Sequence, residues 1–130
     1  MNEALHTPAA PDVTIVILTW NGIEYTKRCL DSLRRETAAP PYRLIVVDNG
    51  STDGTVEYLR AMRDVTVIAN ETNRGFVAAN NQAIAAADPA SDIVLLNNDI
   101  EIPHDQAEWL ARLRRTAYSA PDVGIVGCRL

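Results

Sequence analysis

The chain is short of the residues that would tie it to a disulfide framework, a cysteine-bound metal or a polyanion. Its two cysteines, Cys29 and Cys128, lie far apart in 130 residues. They match no metal-ligand spacing and are expected to be reduced, partly buried thiols. Aromatic residues make up 5% of the chain, so the core has to be built from Val, Ile, Leu and Ala. Basic residues are not in excess: the net charge is −5, and no Lys/Arg-rich face argues for a nucleic-acid backbone as partner. No apolar run approaches transmembrane length. Residues 1–11 lack the basic and apolar regions of a signal peptide. They read as a flexible tail, and the default expectation is a cytoplasmic protein.

What is present is the material of one soluble domain over residues 12–130, with 47% hydrophobic and 22% charged residues. Strand and helix signals alternate without a linker, repeat or low-complexity stretch. The β-branched run Val13 to Leu18 predicts a first strand. Ile23 to Arg34 follows as a helix, with Thr26, Leu30 and Leu33 on one face. Tyr42 to Val47 is a second strand after Pro40-Pro41, and Asp53 is a plausible N-cap for a helix over Thr55 to Met62. Val65 to Ala69 makes a third strand, Gly75 opens an Ala-rich helix through Ala87, and Ile93 to Leu96 makes a fourth strand. Pro103 suits the first turn of a further helix packed down by Trp109, Leu110, Leu113 and Ala117. Val123 to Val126 is expected to begin a fifth strand.

Alternating units of this length imply an α/β fold: a mostly parallel sheet with right-handed crossovers and helices on both faces, a three-layer α/β/α arrangement. Every strand-to-helix loop must then emerge on one edge. Those loops are 19–22, 48–53, 70–74 and 97–99, and they hold most of the polar chemistry, whereas the opposite rim carries ordinary connectors. A strand order of 3-2-1-4 would set Thr19 to Asn21 beside Asn97 to Asp99, at the reversal point where open α/β sheets bind ligands.

Two loops carry specific chemistry. Asn97-Asn98-Asp99 leaves the end of a buried strand with three oxygen-bearing side chains, the kind of donors a hard cation takes. Asp48-Asn49-Gly50-Ser51-Thr52-Asp53-Gly54-Thr55 reads in part as a well-made turn and helix cap. That covers Ser51 to Asp53 but not Asp48, a carboxylate ending a buried strand and placed to accept from a base N–H or a ribose hydroxyl.

Val46 to Thr55 resembles the signature of family 2 glycosyltransferases of the GT-A fold. Asn73-Arg74-Gly75-Phe76 with Asn80-Asn81 is similar to that family's next block, and Leu95 to Asp99 to its metal-binding block, in the same order and spacing. The paired asparagines before Asp99 resemble rhamnosyltransferase-like members. The resemblance implies a Rossmann-like nucleotide-diphospho-sugar-binding sheet, cut before the acceptor-binding half. It implies that Thr19, Asn21, Asp48 and Arg74 hold the nucleoside of a UDP- or dTDP-linked sugar donor. It also implies that Asp99 holds Mg²⁺ or Mn²⁺; in one register of the motif Asn97 replaces a carboxylate, and in the other Asn98 takes the ribose-facing, nucleotide-binding position. The acceptor is expected to be a glycan or a lipid-linked group, attacked with inversion, and the catalytic base is expected beyond Leu130.

Each residue also has a plainer reading. Arg74 reads alternatively as a solvated charge, and Trp20 as a packing residue rather than a lid on the nucleoside. Asn80 is expected on a buried face with Phe76 and Ile84, satisfied by loop backbone rather than by a network under the nucleotide. Glu101 is expected to be solvated and His104 to be a helix-start surface residue. Arg112, Arg114 and Arg115 read as last-turn charge favoured by the helix dipole, with peripheral contact to an anionic membrane as the sharper alternative. Two other functions remain open: a nucleotide-sugar-binding module without transfer, and a nucleotidyltransferase. The second is disfavoured because Thr19 to Gly22 holds one glycine where a phosphate-cradling loop needs several.

Overall fold

The computed structural model describes residues 13–128. The expectation for a tail over residues 1–11 lies outside them. Four strands, β1 (Val13–Thr19), β2 (Tyr42–Asp48), β3 (Val65–Ala69) and β4 (Asp92–Asn97), alternate with helices α1 (Ile23–Glu36), α2 (Thr55–Arg60), α3 (Phe76–Ala86) and α4 (Trp109–Ala117). The sheet order is β3-β2-β1-β4, with every pairing parallel. Register sets Thr19 opposite Asp48, and Leu18 opposite Asn97.

β1 is central, and its run of β-branched residues is buried almost throughout, as expected of a parallel strand covered on both faces. One face packs Val13, Ile15, Ile17, Leu44 and Val46 against Cys29, Leu30 and Leu33 of α1, Leu59 of α2 and Leu110 of α4. The other packs Val16, Ile45 and Val47 against Ala79 and Ala83 of α3. Alanine at both contact positions lets α3 lie close on the sheet. The expected three layers are therefore formed.

Three expectations are corrected. The fifth strand does not form: among the described residues Val123–Val126 makes no ladder with β4. Glycines at 124 and 127 weaken extended pairing, and Ile125 is 94% exposed. Residues 124–126 instead border an apolar cavity of about 480 Å³ with Ile93, Leu95 and Leu113. Nor does Pro103 open a helix. Asp105 sits at φ 65, in the left-handed region, and α4 starts only at Trp109. Finally, Asn80 is buried while Phe76 and Ile84 are exposed, because the buried stripe of α3 runs through Ala79, Asn80 and Ala83. No helix of the described residues is long and apolar enough to cross a membrane.

Candidate functional site

The parallel order brings all four strand-to-helix loops to one rim, where side chains stitch the first three together and tie the fourth to α1. The first and second loops form one unit. Thr19 Oγ1 donates to Asp48 Oδ1 at 2.9 Å, the Asn21 N–H donates to Ser51 Oγ at 2.7 Å, and the Thr52 N–H donates to Asn21 Oδ1 at 2.9 Å. Asn21 holds φ 56, a conformation that Asn tolerates better than most residues. Asp53 serves two helices, accepting the Ile23 N–H at the start of α1 and the Thr55 N–H at the start of α2. The Thr55 hydroxyl and these backbone donors hold its carboxyl below the usual range. Gly54 occupies the formal cap position of α2, so Asp53 acts as the sequence suggests but one residue earlier.

Asp48 lies at the centre of this unit and is fully buried. Its Oδ1 accepts from Thr19 and from the Ser51 hydroxyl, and its Oδ2 from the backbone N–H groups of Ser51 (2.8 Å) and Gly50 (3.1 Å). Four donors compensate its desolvation. The residue whose position at a strand end suggested a free acceptor is the anchor of its own loop.

Sequence reasoning gave no role to Asn49, which is 2% exposed. Its Oδ1 accepts from Asn70 Nδ2 at 3.0 Å and from the Arg74 N–H at 3.2 Å. Its Nδ2 donates to Asn73 Oδ1 at 3.0 Å and to the Gly75 carbonyl at 3.3 Å. Asn70 and Gln82 exchange amide bonds behind it. One buried amide thus joins the second loop to the third and fixes the backbone of Arg74, whose side chain is exposed. The signal in the sequence was an amide directly after a strand-ending carboxylate, facing two asparagines one loop later.

The fourth loop leaves β4 beside β1. Asp99 is exposed at the rim, and Asn98 is half-buried, with its Nδ2 donating to Thr26 Oγ1 of α1 at 3.2 Å. That bond leaves Oδ1 as the free end of the Asn98 amide. Beneath them the Cys29 thiol donates to the Asn97 carbonyl at 3.5 Å. Burial pushes this thiol up to about 11, and the nearby charges of Asp99 and Glu101 add to the effect. The ends of β2 and β4 are two strand spacings apart, about 10 Å, so Asp48 and Asp99 flank the mouth from either side of β1. Among the described residues no three His, Cys, Asp or Glu side chains gather into a metal cage. An exposed carboxylate with neighbouring amide oxygens fits a hard cation that brings most of its own oxygen ligands on a diphosphate.

The remaining candidates stand apart from this cluster or at its margin. Trp20 is 61% exposed beside the first loop, and Phe76, expected on a buried face, is 60% exposed at the start of α3. Asn80 Nδ2 donates to the Phe76 carbonyl at 2.8 Å, so backbone satisfies it, though that of its own helix. Glu101 is exposed and 3.9 Å from Arg28. His104 lies on the surface, its Nδ1 2.9 Å from Glu36. Arg35, with His104, holds the Glu36 carboxyl below the usual range. Arg114 pairs with Asp92 at 3.1 Å, and Arg112 lies 3.9 Å from Glu108. Cys29 is buried and Cys128 exposed, both as free thiols.

Comparison with known proteins agrees with this geometry. The model of the family described as "Glycosyl transferase family 2" matches residues 14–130. Glycosyltransferase AglE of Haloferax volcanii is 32% identical over 126 residues, covering 93% of this chain and 40% of that protein. Succinoglycan biosynthesis protein ExoU of Rhizobium meliloti is 37% identical over 111 residues, covering 82% and 32% respectively. Among solved structures, the mannosyltransferase PcManGT from Pyrobaculum calidifontis, in complex with GDP-Man and Mn²⁺, superposes with a TM-score of 0.78 at 27% identity. It covers 94% of this chain and 36% of that one. S. aureus TarS 1-349 superposes with a TM-score of 0.69 at 21% identity, covering 89% and 37%, and shows the same fold. The chain therefore spans well under half the length of these relatives.

Proposed function

The chain belongs to glycosyl transferase family 2, and from that premise we propose that its rim is the donor site of a sugar transferase that works with a divalent cation. The carrying observation is the convergence of four loops on one mouth, with an exposed carboxylate, Asp99, on the β4 side and the Thr19–Asp48 pair on the β2 side. In this reading Thr19, Asn21, Asp48 and Arg74 form the nucleoside end. The Gly50 N–H bond to Asp48, the longest of its four at 3.1 Å, is the one that a ribose hydroxyl or base N–H replaces. Asn98 and Asp99 form the diphosphate end, and Asp99 holds Mg²⁺ or Mn²⁺. The PcManGT complex, with GDP-Man and Mn²⁺, supports nucleotide-sugar and divalent-cation binding by this fold.

When bound, the cation neutralises charge that builds on the departing nucleoside diphosphate. The chain's own contribution is to grip the nucleoside, orient the diphosphate towards Asp99 and hold the anomeric carbon open to an acceptor hydroxyl. Transfer with inversion by a base from beyond Leu130 completes the proposal, with a glycan or lipid-linked acceptor. The rival reading, a module that binds donor without transfer, is separated from it by whether sugar is released or moved in the presence of acceptor.

The direct test is a thermal-shift series with UDP, dTDP and GDP, each with and without Mn²⁺, on the wild-type protein and on Asp99→Ala. A ligand at about 100 times its Kd stabilises by about 2.7 kcal/mol, a shift of several degrees in Tm. The expected outcome is an Mn²⁺-dependent shift with at least one nucleotide that Asp99→Ala abolishes, while the ligand-free Tm stays nearly unchanged. Unaltered metal dependence in Asp99→Ala would remove the assignment.

A further inference from the structure

Thr26, Cys29 and Ser32 recur at intervals of three along α1 and so share one face of the helix. All three are buried. Aliphatic side chains would fill such a face with less loss of helix propensity than Thr and Ser, yet here each polar atom is used. Thr26 Oγ1 accepts from Asn98 Nδ2 at 3.2 Å, and the Cys29 thiol donates to the Asn97 carbonyl at 3.5 Å. Ser32 Oγ donates to the Cys29 carbonyl at 3.0 Å and accepts the Ile102 N–H, also at 3.0 Å. The three bonds out of the helix therefore grip residues 97, 98 and 102, and Asp99 lies between the two gripped ends. The exposed Arg28–Glu101 contact at 3.9 Å adds little.

We propose that Thr26, Cys29 and Ser32 are positioning residues that hold the 97–102 segment so that the Asp99 carboxylate meets a nucleotide-bound divalent cation at a fixed angle. The inference rests on the donor-site reading above. Partners one shell removed from a metal orient its ligands, and their loss weakens metal affinity by about 10- to 100-fold. A segment pinned at both ends presents its carboxylate in one orientation; freed at either end, it must be ordered anew each time the cation binds.

Calorimetry with UDP, dTDP and GDP, each with and without Mn²⁺, tests this on wild type, Asp99→Ala, Thr26→Val, Thr26→Ser and Ser32→Ala. Thr26→Val and Ser32→Ala are expected to weaken the Mn²⁺-dependent affinity by about tenfold and to leave metal-free nucleotide affinity in place. Thr26→Ser, which keeps the hydroxyl, is expected to restore it. Ser32→Ala carries the test alone should Thr26→Val fail to fold. If Asp99→Ala loses the metal dependence while Thr26→Val and Ser32→Ala retain all of it, the clamp is wrong and the donor site stands. Equal loss of metal-free and metal-dependent affinity marks a merely structural role and also overturns the proposal. If Asp99→Ala keeps the metal dependence, or wild type binds none of the three nucleotides, the donor-site reading falls and takes the clamp with it.

Discussion

At the scale of single residues, a buried carboxylate is tolerated when donors surround it, and Asp48 meets that condition with two hydroxyls and two backbone N–H groups. Asp48→Asn replaces one accepting oxygen with an amide that faces N–H donors. It should destabilise the protein by about 1–3 kcal/mol in urea denaturation, the range for a buried donor left unsatisfied. The donor-site account adds that nucleotide affinity without metal should fall in the same variant. If stability alone changes, Asp48 is an anchor and nothing more. The sequence identified Asp48 and Asp99 by type and position, because a carboxylate that ends a buried strand is conspicuous. It could not reveal that Asp48's oxygens are used internally, nor that Asn49 is a four-bond hub. Which side chains cross between loops depends on backbone turns that no local pattern encodes.

At the scale of elements, close approach of the second and third loops depends on Gly50. It sits at φ 84, and a Cβ there would meet the Glu71 carbonyl oxygen and Thr72 Cα at 3.1 Å. Gly50→Ala should therefore cost about 1–3 kcal/mol from strain and crowding, read as a lowered urea midpoint with an unchanged slope. On the opposite rim, Arg34 of α1 grips Asp64 through two bonds of 2.8 and 2.9 Å, which hold that carboxyl below its usual range. A depressed folded value means stability fully present above the ordinary carboxylate range and lost as pH falls through the lowered folded value. Asp64 is 60% exposed, so solvent limits the pair to about 1 kcal/mol or less. The difference between wild type and Asp64→Asn should be measurable at neutral pH and shrink progressively as pH falls below the ordinary carboxylate range.

Helices and strands were legible from hydrophobic period, since Thr26, Leu30 and Leu33 are all buried as their spacing predicts. Start signals were less dependable. Pro103 looked like a first turn, but the left-handed Asp105 and the ties of Ile102 to Ser32 and of His104 to Glu36 hold that stretch against α1.

At the scale of the molecule, the alternation of units determines which edge carries the chemistry, and the sequence alone makes this legible. Uniform strand-helix order gives a parallel sheet, the sheet order β3-β2-β1-β4 follows the expected reversal, and polar loops gather on one rim. The misread fifth strand shows where periodicity fails: four residues with a glycine among them make an apolar run but no ladder. The central claim is that this one rim binds a nucleoside diphosphate through a cation. The most direct measurement is nuclear magnetic resonance of the ¹⁵N-labelled protein titrated with UDP, dTDP or GDP and then with substoichiometric Mn²⁺. The account predicts nucleotide-induced shifts at residues 19–22, 48–53 and 73–75, and paramagnetic broadening centred on 97–100. Broadening centred instead on Asp64 and Ser91 at the opposite rim, or no nucleotide response at the four loops, would contradict it.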